Sequence, residues 1–135
     1  MEPRLRSIFE EELDLDDRTP RELRRRISSF APLLRKATSA VQLAATEIAT
    51  AFAKQREPDS TIQFRLLADD DLFRIEISDS LTESVLLSGD DREQLLRRKV
   101  LDGVAYRWGI LGDGSATVWC EIAPTAAPPQ EVSRS

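Results

Sequence analysis

The chain has 135 residues, 15.2 kDa, 41% hydrophobic and 32% charged, an ordinary globular composition of one domain's length, which excludes a second full domain and wholesale disorder. With 19 Lys and Arg against 24 Asp and Glu, the net charge of −5 argues against a surface built to coat phosphate backbone. There is no histidine and one cysteine, Cys120, so Ser-His-Asp and Cys-His catalysis, histidine-ligated metals, thiolate clusters and an internal disulfide all drop out.

Residues 1–18 form an acidic segment: Glu2, Glu10, Glu11, Glu12, Asp14, Asp16 and Asp17 surround an apolar thread of Ile8, Leu13 and Leu15 that predicts an edge strand over 8–15. Thr19 and Pro20 then open a helix over about 20–30, with Thr19 as N-cap and Glu22 completing a capping box. Leu23, Ile27 and Phe30 give it one apolar face, and Arg21, Arg24, Arg25 and Arg26 crowd the remainder. Pro32 interrupts, and a second helix is expected over about 36–56, with Val41, Ala44, Ala45, Ile48 and Phe52 as its stripe. Glu57, Pro58, Asp59 and Ser60 end it.

Two alternating runs follow, 62–67 and 72–78, joined by an Asp69-Asp70-Asp71 hairpin tip. Residues 79–91 are polar and carry no clear period. A third helix is expected over about 91–107, with Leu96, Val100, Leu101, Val104 and Trp108 inward. The Gly112-Asp113-Gly114 turn leads to a last strand, 116–122, in which Ala116, Val118, Cys120 and Ile122 alternate with Thr117, Trp119 and Glu121. Trp119 is out of phase with the apolar residues and belongs on the other sheet face or against the tail, whereas Cys120 reads as an inert core thiol. Residues 124–135 read as a flexible tail.

The order is strand, helix, helix, hairpin, loop, helix, hairpin. It predicts an α+β, two-layer sandwich: a mostly antiparallel sheet with the helices on one face. The body of the domain is expected over 19–123. No apolar run approaches the roughly 20 residues needed to span a bilayer. Met1 to Arg6 shows no apolar stretch behind its charges, so no signal peptide is expected, and the reading is a cytoplasmic domain.

Three stretches carry a resemblance. Ala105-Tyr106-Arg107-Trp108-Gly109-Ile110, then Gly112-Asp113-Gly114, then Thr117-Val118-Trp119-Cys120-Glu121-Ile122 form the first. Thr46-Glu47-Ile48-Ala49-Thr50-Ala51-Phe52 is the second, and Ile75-Glu76-Ile77-Ser78-Asp79-Ser80 the third. Together, and in this order, they resemble the anti-sigma regulatory factors, the serine-kinase-like members of the histidine-kinase-like ATPase (GHKL, Bergerat) fold, over roughly residues 8–122.

The resemblance implies roles residue by residue. In active members a helix Glu positions water or the attacking hydroxyl, and Glu47 matches it. An Asn four residues later is a magnesium ligand in the family, but position 51 is Ala here, and a methyl group cannot coordinate a hard cation. The family's strand-end Asp accepts a hydrogen bond from the adenine amino group. Asp79 matches it, although the usual Gly two residues on is Leu81. The glycine-rich lid of the family falls on Leu95, Leu96, Arg97 and Arg98, where neither glycine survives and side chains obstruct close backbone approach to phosphates. Arg97, Arg98 and Lys99 could hold phosphate by charge instead, but the reading taken is a solvated basic face.

The implied protein is a degenerate copy, a pseudokinase scaffold of anti-sigma type that binds proteins without turning over ATP, with no cofactor and no metal site expected. Its implied partners are a sigma factor, a STAS anti-anti-sigma protein or a DNA-binding transcription regulator, with neither nucleic acid nor membrane bound directly. Homodimers are common in the resembled family. Arg21, Arg24 and Arg25 are the candidate partner-binding residues. They are to be weighed against a plain solubilising face or an attachment to the chain's own acidic N-terminus. Two alternatives stand beside this reading: an active ATP-dependent serine kinase using ATP and magnesium, and a non-catalytic oligomerising subunit.

Overall fold

The acidic N-terminal stretch forms a strand, as its alternating apolar residues predict. In the computed structural model, which describes residues 5–54, 59–79, 90–111 and 116–124, β1 (Arg6–Asp14) pairs antiparallel with β2 (Thr61–Ala68). Phe9 lies opposite Leu66, Glu11 opposite Phe64 and Leu13 opposite Ile62, with a register shift between Ser7 and Phe9. Next comes α1 (Thr19–Ser28), but Thr19 does not cap it. The N-cap is Arg18, and the Thr19 hydroxyl donates to the Asp14 carbonyl at 2.8 Å while accepting from the Asp16 N–H. Thr19 is therefore spent on the turn that ties β1 to the helix, and the expected capping box does not form there.

The break at Pro32 is a one-turn helix, α2 (Ala31–Leu34), followed by a 3-10 turn over Arg35–Ala37. Arg35 sits at φ 50°, a region that disfavours side chains. The long helix, α3 (Thr38–Lys54), is nearly surrounded, with Ala40, Val41, Ala44, Ala45, Ile48, Ala49, Ala51, Phe52 and Ala53 all buried. Its many alanines let α1, α4 and the sheet approach closely, while Val41, Ile48 and Phe52 supply the volume. The hydroxyls of Thr46 and Thr50 donate to carbonyls one turn back, so these polar groups are satisfied on the helix itself.

After β2, the Asp69 carboxylate accepts from the N–H groups of Asp71 and Leu72 and turns the chain into β3 (Phe73–Asp79). Helix α4 (Asp91–Val104) opens with a full capping box: Asp90 Oδ1 accepts from the Glu93 N–H at 2.9 Å, and Glu93 accepts from the Asp90 N–H. It ends at Val104, earlier than the expected 107, and Trp108 lies instead in β4 (Arg107–Leu111), which precedes β5 (Ala116–Ile122).

The strands form one sheet in the order β1-β2-β3-β5-β4, every neighbour antiparallel. Ile62, Phe64, Leu66, Phe73, Ile75, Ile77, Val118, Cys120 and Ile122 fill its inner face, on which α3 packs. Phe9 bridges Phe64 and Phe30 at centroid distances of 6.0 and 5.1 Å, which ties α1's end to the same face. The architecture is thus α+β, a two-layer arrangement of an open antiparallel sheet under helices.

The other sheet face carries a ladder of charges. Glu10 on β1 meets Arg65 on β2 at 2.7 Å, and Arg65 meets Glu76 on β3 at 2.8 Å. Glu76 meets Arg74, which meets Glu121 on β5 at 2.9 Å, and Glu121 meets Arg107 on β4 at 2.7 Å. Trp119 belongs to this face, with the Arg74 guanidinium 4.6 Å above its ring. No helix among the described residues is long and apolar enough to cross a membrane. The Gly112-Asp113-Gly114 turn, the 80–89 stretch and residues 125–135 of the expected tail lie outside the described residues.

Candidate functional site

Helix α3 sets the site, because its buried stripe leaves Glu47 on the side that α4 covers. Glu47 is half-buried, not the solvent-facing carboxylate that a lone helix Glu usually is. Burial pushes its carboxyl above the usual carboxylate range, and the positive charges of Arg97 and Lys54 pull it back. Arg97 is 3% exposed, although a basic residue at that point of the sequence reads as solvated. Burial lowers its pKa and Glu47 raises it, so the two charges support each other across the α3–α4 contact. Lys54, at the end of α3, is paired with Glu93, the residue that completes the α4 cap. One chain of charges therefore links the last turns of α3 to the start of α4.

The arrangement corrects the expected face of α4. Leu96, expected inward, is 62% exposed and Leu95 is 56% exposed, while the buried residues are Arg97 and Leu101. These two are four apart and share a helix face; Leu96 is turned away from it by about 100°. The stretch that would have to be a glycine-rich lid is regular helix.

Ala51, one turn beyond Glu47, is fully buried and offers no oxygen to a metal. Asp79 closes β3, 6% exposed, with its backbone in register with Ala116. The structure thus brings Glu47 and Arg97 together and places Asp79 at a strand end beside the layer that α3 covers. Among the described residues, no cluster of three or more His, Cys, Asp or Glu has the spacing of a metal site.

Arg21, Arg24 and Arg25 stand exposed on α1. The chain's own N-terminal strand takes Arg26, through Glu11 at 3.0 Å, and Asp16 takes Arg18 at 3.8 Å. Glu22 meets Arg25 at 3.6 Å, and no ion pair reaches Arg21 or Arg24 among the described residues. Cys120 is buried, and burial together with the Glu121 carboxylate pushes its thiol up to about 12, so it is inert at neutral pH.

Sequence reasoning missed Arg97 because a basic run reads as a solvated face. The only signal was its place four residues before the apolar Leu101. No protein-family model matches this chain, and a search of curated proteins finds no match.

Proposed function

We propose that this chain is a degenerate relative of the histidine-kinase-like ATPases, an anti-sigma-type regulator that works in the cytoplasm by binding proteins and does not turn over ATP. The observation that carries the reading is Arg97. At the point where the resemblance calls for a bare-backbone lid, a buried guanidinium on a continuous helix neutralises Glu47. Phosphoryl transfer depends on positioning and on neutralising developing charge, through backbone donors and magnesium. Ala51 supplies no magnesium ligand, and Glu47 faces a cation of its own chain in place of an attacking hydroxyl. The α+β order and the one-sided helical layer are compatible with the fold that the resemblance implies.

Binding remains available to such a scaffold. Arg21, Arg24 and Arg25 present positive charge on α1 of an otherwise acidic chain, a surface suited to an acidic patch on a sigma factor, a STAS protein or a DNA-binding regulator. Asp79 is the residue that would accept a hydrogen bond from an adenine amino group, a contact that needs no metal.

One observation favours the active kinase as a second reading: Glu47 is half-buried with a raised pKa, as catalytic carboxylates often are. Incubation with labelled ATP, magnesium and a candidate STAS protein separates the two. The expected outcome is no serine phosphorylation above background, with Glu47→Ala indistinguishable from the parent. Robust phosphorylation that disappears in Glu47→Ala establishes the kinase instead. Calorimetric titration with ATP and magnesium reports on adenine binding independently of turnover.

A further inference from the structure

We infer that the β4 edge of the sheet is a self-association surface, where β4 of a second copy of this chain pairs antiparallel about a two-fold axis through Gly109. Among the described residues the sheet has two edge strands, β1 and β4. An edge presents unpaired backbone donors and acceptors, and proteins usually defend it with charge, irregularity or brevity. β1 is defended. Glu10, Glu11, Glu12 and Asp14 stand along it, and its register is broken between Ser7 and Phe9. A second β1 laid against it would set carboxylates beside carboxylates.

β4 is short but otherwise undefended. Its sequence, Arg107-Trp108-Gly109-Ile110-Leu111, holds one charge, and Glu121 of the same chain already neutralises it. Ile110 is 36% and Leu111 51% exposed, and Tyr106, just before the strand, is exposed too. Helix α4 enlarges the patch. Arg98 lies 5.9 Å from the Trp108 ring and Asp102 accepts from the Trp108 indole N–H at 2.8 Å, so this strip of α4 runs over β4. Leu95, about one turn before Arg98 on the same helix, has its side chain open to solvent.

The sequence of β4 is complementary to itself, which selects a second copy over a foreign strand. With the axis at Gly109, Trp108 of one copy lies opposite Ile110 of the other, twice, on the inner face. Aromatic against β-branched is a favourable cross-strand pair, and both residues are only partly covered within one copy. Arg107 lies opposite Leu111 on the outer face, so no like charges meet. Gly109 brings no side chain to the axis, and it must stay glycine, since a Cβ there would lie 2.8 Å from the Trp119 ring. The pairing is isologous and closes on itself. It extends one antiparallel sheet through both copies with the helices on a common face.

Sedimentation of the full chain from micromolar to millimolar concentration tests the inference, with thermal melts checking that each variant stays folded. The parent is expected to dimerise and Ile110→Lys to be monomeric. The register is tested by two substitutions at the exposed Leu111 that remove the same apolar contact. L111E sets a carboxylate opposite Arg107 of the second copy, whereas L111K sets a like charge there. L111K is expected to dissociate at roughly tenfold higher concentration than L111E, a dimer weaker by about tenfold. A parent that stays monomeric throughout overturns the inference and leaves the edge to a strand from another protein. A dimer indifferent to Ile110→Lys overturns it as well, and equal effects of L111E and L111K overturn the two-fold register.

Discussion

Glu47 ionises less readily in the folded chain than in the unfolded one. Burial raises its folded pKa above the unfolded value, and Arg97 and Lys54 limit the rise. The sign of the linkage follows. Below the unfolded value the carboxyl is protonated in both states and carries no penalty. As pH rises from the unfolded to the folded value, the unfolded chain ionises first, so stability falls through that window and stays lower above it. Arg97→Met removes the main countercharge and leaves an apolar side chain of similar length. The Glu47 pKa is then expected to rise further, and the window of falling stability to reach higher pH. Carboxyl NMR titration of Glu47 in the parent and variant measures this; a pKa that fails to rise would sink the coupling. The sequence pointed to Glu47 directly, whereas Arg97 read only as one of a basic run on a displaced lid. It could not show their meeting, because hydrophobic periodicity sees one helix at a time and treats arginine as solvent.

At the scale of elements, alternation made β2, β3 and β5 legible, and the apolar stripe of α3 was equally plain. Two boundaries were not. Val104, Ala105, Tyr106 and Trp108 form a short apolar run that suits a helix end or a buried strand, so the α4–β4 junction was read as helix. The break between α1 and α3 was signalled by Pro32, but its geometry was not: the turn places Arg35, a non-glycine residue, at φ 50° and ψ −120°. Such a conformation costs about 1–3 kcal/mol for a side chain, whereas glycine adopts it freely and loses about 0.5–1 kcal/mol through its greater unfolded entropy. Arg35 is exposed, and its carbonyl, which accepts from the Thr38 hydroxyl at 2.8 Å, survives the substitution. Arg35→Gly is therefore expected to stabilise the fold by about 1 kcal/mol, read as a higher urea midpoint at unchanged slope. A lower midpoint would mean that the turn is not strained.

Across the whole molecule, the open sheet face is held by its charge ladder. The rungs run through all five strands from Glu10 to Arg107, and most join residues directly opposite in register: Glu10 with Arg65, Arg65 with Glu76, Arg74 with Glu121, and Arg107 with Glu121. The strands' outward charges were legible as a polar face, but which met which depended on β3 lying beside β5, a non-local fact that no local pattern encodes. The rungs differ in worth because they differ in burial. Glu10 and Arg65 have side chains 55% and 39% exposed, a surface pair that contributes about 0–1 kcal/mol. Glu121 has a side chain only 3% exposed and divides its two oxygens between Arg74, 17% exposed, and Arg107. Removing it strands the Arg74 guanidinium over Trp119 with one carboxylate fewer, while Arg107, mostly in water, is resolvated easily. Glu121→Ala is therefore expected to cost about 2–3 kcal/mol, below the full cost of breaking a deeply buried pair because Arg107 escapes to solvent. Glu10→Ala is expected to cost less than about 1 kcal/mol. Urea unfolding of the two variants beside the parent decides it: equal, small losses would mean that the ladder covers the face without holding it.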